Sequence, residues 1–251
     1  LCPQTSRAAP EHFSLRAIAA ASRSIAICGN QTGSLAPMAK TIPLIRAAAI
    51  VPMLSWLRAQ GRSVEQSLAA VDLDYLNPDT PMQVVPVHNA AALFRRLCAE
   101  EGPDIGCRVV TQSSLPELAL LGKVILGART PREALTRIIA TLPYHCSHEH
   151  MQLLTLGDGV AFTDGWSVDL DPQTRHVLQQ YVAELVATIC RKGEAHQIVL
   201  DRVELTPHPQ AGLVHLTPWF GDRMVAARTK ALTVHISAEV ADQPMRFGAR
   251  D

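Results

Sequence analysis

The chain has 251 residues, of which 47% are hydrophobic and 18% charged, a balance that excludes a disordered tail and suits a folded core large enough to need no disulfide or metal staple. Twenty-three basic residues are matched by 23 acidic ones, so there is no excess charge with which to bind a polyanion. Aromatic residues make up 4%, too few for a base-stacking surface.

Six cysteines, Cys2, Cys28, Cys98, Cys107, Cys146 and Cys190, are scattered without a CxxC pair. That spacing suits reduced thiols and a cytoplasmic protein rather than a zinc ribbon or a disulfide scaffold. The longest apolar stretches, 47–57 and 118–127, are interrupted by Pro52 and Lys123 and fall short of the roughly 18 residues a membrane span needs.

Residues 1–41 set Arg7, Arg16, Arg23 and Lys40 against the single acid Glu11. Rich in Arg, Ala and Ser, the stretch faintly resembles a transit peptide and is expected to be a loosely attached, poorly matched extension. From Ile42 the periodicity sharpens. Leu44, Ile45, Ala48, Ala49, Met53 and Leu57 recur at three- and four-residue steps, the pattern of an amphipathic helix bent or restarted at Pro52. Ser63 to Gln66 reads as a capping box opening a short helix. Asn77-Pro78-Asp79 marks a turn. A further helix is expected from about Pro86 to Glu101, with Ala90, Leu93, Phe94 and Leu97 inward.

Two helix starts carry the same local chemistry. Ser114-Leu115-Pro116-Glu117 and Thr130-Pro131-Arg132-Glu133 each offer an N-cap hydroxyl and a Glu three residues on. The period then changes from helical to alternating. Residues 148–156 and 160–163 flank Gly157-Asp158-Gly159, a compact hairpin signal. Asp171-Pro172 caps a long helix striped by Leu178, Tyr181, Val182, Leu185 and Ile189 and closed at Lys192-Gly193. Strands are expected at Ile198–Leu205 and Ala231–Ile236. Helices first and strands after them predict an α+β fold: a helical N-terminal half packed on a mostly antiparallel sheet, in a single domain spanning 42–245.

No GxSxG elbow, Walker loop, GxGxxG turn or HExxH pair occurs, so no catalytic residue is assigned and no cofactor is expected. The densest chemistry is Tyr144-His145-Cys146-Ser147-His148-Glu149-His150. On a strand, His148 and His150 share a face, and His145 or Cys146 could approach from the turn. A metal-dependent enzyme built on His145, His148 and His150 is therefore one alternative; the bland reading is a strand edge that carries histidines. His88, His176 and His215 read as surface or satisfied polar residues. Cys98, Cys107 and Cys190 read as buried, inert thiols.

Several segments, taken in order, carry a resemblance. They are Ile45 to Ala49 with Gly61, the turn at Leu76 to Asp79, Gly106-x-Arg108, and Leu115-x-x-Leu118-x-Leu120-Leu121-Gly122. After these come Thr130-x-x-Glu133-Ala134-Leu135, Val203-x-Leu205-x-Pro207-His208, Trp219-Phe220-Gly221, and Ala241 to Pro244. Together they resemble the effector-binding, arabinose-binding-type domain of AraC/XylS bacterial transcription regulators. The resemblance implies a non-enzymatic sensor of a small-molecule effector that forms a homodimer through an apolar helix face. It also implies contact with DNA only through a helix-turn-helix domain, expected beyond the tail at 246–251. A dimerisation module without ligand is a further alternative. The pocket is expected between the sheet starting near His148 and the helices at 115–142 and 172–191. Tyr144, His148, His150 and Trp166 are the candidate ligand-binding residues; no metal ligand is assigned. No stretch gathers the several polar groups beside an aromatic face that a sugar site would use.

Overall fold

The computed structural model describes residues 42–77, 79–157, 159–192 and 199–246. The expectations for residues 1–41, for Gly193 and Ile198, and for the tail past Arg246 lie outside these. The helix expected across Leu44 to Leu57 is split. Leu44–Arg46 form strand β1, Ala47–Ala49 a 3-10 turn, and Val51–Ala59 helix α1 with Pro52 in its first turn. The apolar spacing is the same in either case. What decides for the strand is a partner far along the chain, Val84–Pro86 (β2), which pairs antiparallel with Ile45 opposite Val85.

Local chemistry sets the next elements. The Ser63 hydroxyl accepts from the Gln66 amide at the start of α2 (Val64–Ala69). Asn77 Oδ1 accepts from the Asp79 amide in the expected turn. Helix α3 covers Val87–Glu101, within a residue of its expected start. Short turns α4 (Ile105–Arg108) and α5 (Ser114–Glu117) follow. Ser114 does not cap α5: its hydroxyl accepts from the Thr111 amide instead. Ala119, at φ 51°, breaks the chain before α6 (Leu120–Leu126). In α7 (Pro131–Thr141) the Thr130 hydroxyl does accept from the Glu133 amide at 3.2 Å.

The hairpin forms as β3 (Glu149–Leu156) and β4 (Gly159–Trp166), with Gly157 at φ 61° in the turn. Asp171 caps the 19-residue α8 (Pro172–Cys190) by accepting from the Thr174 amide at 2.9 Å. The remaining elements are β5 (Arg202–Leu205), α9 (Thr217–Phe220), β6 (Met224–Ala226), β7 (Leu232–Ile236) and α10 (Ala238–Asp242). The main sheet runs β3-β4-β7-β5-β6, with every neighbour antiparallel except the β5–β6 pair. This is the expected α+β architecture: seven described helices precede the hairpin, and the sheet is mostly antiparallel.

Helix α8 departs from its expected single stripe. It is buried on nearly every side, including Arg175, His176, Gln179, Gln180, Glu184 and Thr188. It runs between two apolar clusters, one centred on α1, α3 and β1 and the other on α6, α7 and the sheet; Val182 and Leu185 pack against both. A helix buried all round must satisfy its polar side chains locally. Gln179 bridges the Lys230 carbonyl and the Thr206 amide, and Gln180 donates to the Pro103 carbonyl. Gly106 allows α4 to cross α8: a Cβ there would lie 2.3 Å from the Val177 carbonyl oxygen. Gly122 is equally constrained, with the Leu115 carbonyl oxygen 2.2 Å from where its Cβ would be.

Candidate functional site

A cavity of about 90 Å³ lies where the two apolar clusters meet along α8. Its walls come from several elements of the fold. Ile45 and Ile50 close one end, Val87, Ala90 and Phe94 come from α3, and Leu121 and Ile125 from α6. Leu135 and Ile138 of α7 and Leu178, Tyr181, Leu185 and Ile189 of α8 complete the helical sides. The sheet supplies Glu149, Met151, Phe162 and Trp166, and His145 enters from the turn before β3.

Strand alternation explains which groups from the sheet face this space. Register pairs Glu149 with Trp166, Met151 with Asp164, and Leu153 with Phe162, so the odd positions of β3 and the even positions of β4 share the inner face. Asp164 therefore sits between Phe162 and Trp166 on the cavity side and is 1% exposed. Its Oδ2 accepts from the Trp166 indole at 3.0 Å, whereas its Oδ1 is buried without a hydrogen-bond partner. The Glu149 side chain is 7% exposed, and its Oε2 accepts from the Cys146 thiol at 3.3 Å.

Burial decides the protonation of these groups. Removal from water pushes the Glu149 carboxyl up to about 7, against a weaker opposing pull from the Cys146 thiol. Burial and then the neighbouring Glu149 charge push Asp164 well above the usual carboxylate range. The Cys146 thiol is raised by burial and by Glu149, so it stays protonated. His145 is pushed down to about 4 by burial and the adjacent His148 and Arg46, and is neutral near pH 7. On α8, Tyr181 donates its hydroxyl to the Ala49 carbonyl at 3.0 Å and meets Phe94 edge to face at 5.1 Å. At the cavity, then, the Glu149 carboxyl and a neutral imidazole are set in apolar walls with no Lys or Arg among the lining residues, and a second buried acid, Asp164, lies on the same face of β4.

Of the four candidate ligand-binding residues, Trp166 lies on this wall. His148 is 1% exposed and packs edge to face on Trp166 with centroids 4.8 Å apart, behind the wall rather than on it. Tyr144 is 68% exposed, and His150 is exposed on the opposite face of β3 from Glu149. The structure thus separates His150 from His145 and His148. Among the described residues no group of three or more His, Cys, Asp or Glu side chains is placed to hold a metal ion.

Sequence reading passed over Glu149 and Asp164. One signal was available: Asp164 is the lone acid in the otherwise apolar or small run of β4, and Glu149 shares its inner face through the hairpin register. It also passed over a second cluster, in which the His176, His208 and His215 rings lie 5.0–6.0 Å apart. His176 bonds the Thr206 carbonyl through Nδ1 at 2.6 Å and His215 through Nε2 at 2.9 Å. His208 Nδ1 accepts from the Gln210 and Ala211 amides. These three form a polar knot between α8 and the chain after β5, in which His215 Nδ1 is buried without a hydrogen-bond partner.

Residues 61–245 match the family model described as the arabinose-binding domain of AraC transcription regulator, N-terminal. Comparison with curated proteins finds no match. Among solved structures, the chain is similar to the transcriptional regulator CdpR from Pseudomonas aeruginosa, at 15% identity over 77% of this chain with a TM-score of 0.52. It spans 56% of the length of that structure, and a likeness at this identity speaks for the fold. The family model covers most of the chain, including α3, α8, both strands of the hairpin and hence most of the cavity wall: the chain belongs to the arabinose-binding domain family of AraC transcription regulators.

Proposed function

We propose that residues 42–245 are a non-enzymatic sensor that takes a small effector into the cavity along α8 and biases the state of an attached DNA-binding unit. The carrying observation is the position of the cavity, at the junction of the two apolar clusters that α8 holds together. A molecule lodged there touches α3, α6, α7, α8 and the hairpin at once. An effector shifts an equilibrium only by binding one arrangement better than the other, and a ligand shared by two packed bodies meets that requirement. Contact with DNA belongs to a helix-turn-helix unit and not to these residues, in keeping with the balanced charge. Homodimerisation through an apolar face and a cytoplasmic setting are part of the same reading; no helix among the described residues is long and apolar enough to cross a membrane.

The family description names arabinose, but the wall is built for something less polar. A pentose needs several converging hydrogen-bonding groups. Here the polar wall groups are Glu149, His145 and a Tyr181 hydroxyl already committed to Ala49. A thermal-shift screen of sugars, amines, aromatic acids and apolar alcohols tests the reading. A true effector at 100 times its Kd adds about 2.7 kcal/mol of stability, and Ala90→Leu, which extends a side chain from the α3 wall into the cavity, abolishes that gain. A stabilising ligand that is indifferent to Ala90→Leu would place the effector elsewhere.

A further inference from the structure

The cavity's polarity says more about its occupant than its size does. Two carboxyl side chains, Glu149 at 7% and Asp164 at 1% exposure, lie on one face of adjacent strands. They are diagonal neighbours in the register, a relation that separates Cα atoms by roughly 7–8 Å and leaves longer side chains within reach of one another. Asp164 Oδ1 has no hydrogen-bond partner although it is buried, a condition folded proteins rarely leave unmet. Phe162 and Trp166, on either side of Asp164 along β4, are cavity wall, so the unmet acceptor lies on the same face of the strand as that wall, behind its apolar side chains. No Lys or Arg lines that wall, and the one imidazole there, His145, is held neutral by burial. With no resident counter-ion, the two carboxyls are held toward their protonated forms, and a bound cation would supply the charge that lets them ionise.

We propose that the effector is an amphiphilic amine, an apolar body carrying one ammonium group, with the ammonium seated between Glu149 and Asp164. This deepens the sensor reading and rests on it. An ammonium brings three donors and no acceptor. It can therefore serve the Asp164 Oδ1 and the Glu149 carboxylate together while its body lies against Phe94, Leu121 and Leu185. Charge-assisted hydrogen bonds of this kind are shorter and stronger than neutral ones. An alcohol of the same shape offers one donor and no compensating charge. A carboxylate of the same shape meets two acids and no cation, the arrangement that desolvation penalises most.

Three matched probes separate the possibilities: 4-phenylbutylamine, 4-phenylbutanol and 4-phenylbutyrate, titrated calorimetrically into the full chain at neutral pH. The amine is expected to bind at least tenfold tighter than the alcohol, with the acid weakest. Glu149→Gln keeps the shape and removes the charge; it is expected to cost the amine at least tenfold and the alcohol less than threefold. If Glu149→Gln does not fold by circular dichroism, Asp164→Asn carries the same expectation. Alcohol or acid binding as tight as the amine's overturns the amine proposal and leaves the cavity as an effector site. Amine binding unchanged in the folded variants overturns the seat between the two acids. Binding by none of the three overturns both the amine proposal and the effector reading of the cavity.

Discussion

Glu149→Gln should change stability in a pH-dependent way, because the folded protein holds this carboxyl in a place that resists its ionisation. Burial raises it from an ordinary 4.5 to about 7. Between those values the folded state binds more protons at this site than the unfolded chain does. Stability from this group therefore falls as pH rises from about 4.5 to 7, and the deficit persists above that. At about 1.4 kcal/mol per tenfold change in acidity, its ceiling is about 3 kcal/mol. The neighbouring Asp164 shares part of this, since each charge opposes the other. Other groups titrate in the same window. His148 and His176 are pushed down to about 4 by burial, as is His145, and they make the fold less stable as pH falls from 6.5. Glu184 is raised to about 7 by burial, against the pull of Arg191. Of the groups facing Glu149, Cys146 and Tyr181 stay protonated across the window. Subtracting wild type from variant leaves Glu149 and its couplings to Asp164 and to His148, whose Nε2 lies 4.0 Å from Glu149 Oε1. Urea unfolding followed by circular dichroism should find the two proteins within about 0.5 kcal/mol at pH 4.5, with the variant more stable by about 1–3 kcal/mol at pH 8. A difference that is the same at both pH values, or a variant less stable at pH 8, would refute the assignment of a buried, charge-disfavouring site.

Two further substitutions probe the frame that positions the cavity. Gly106→Ala forces a Cβ to within 2.3 Å of the Val177 carbonyl oxygen, which is backbone and cannot swing aside; denaturant midpoints should show a loss of roughly 1–3 kcal/mol, and an unaffected midpoint would mean that α4 does not press on α8 as described. Asp171→Ala removes acceptors for the Thr174 amide and hydroxyl at the start of α8; it should cost about 1 kcal/mol, with Asp171→Asn recovering most of it in the same titration.

Local rules were legible in the sequence wherever the deciding partner lies within a few residues. Ser63, Thr130 and Asp171 accept from amides three residues ahead, and Gly157 supplies the positive φ of the hairpin, because capping and turn geometry are settled inside one turn of chain. The change from helical to alternating period before Glu149 likewise fixed the α+β class. Where the partner is distant, the sequence was mute or pointed the wrong way. Leu44 to Arg46 carry helical spacing yet form a strand, since β2, about 40 residues on, offers hydrogen bonds that a helix there would forgo. Ser114 looks like a cap but turns back to Thr111. The apolar stripe of α8 could not reveal that its other faces would also be buried, because that depends on two clusters closing around it. For the cavity, strand alternation alone could have paired Glu149 with the inner face. That this face is dry, that Tyr144 and His150 point away from it, and that Asp164 keeps an unmet acceptor there were decided by tertiary packing. Desolvation is a property of everything that surrounds a group, and no window of sequence contains it.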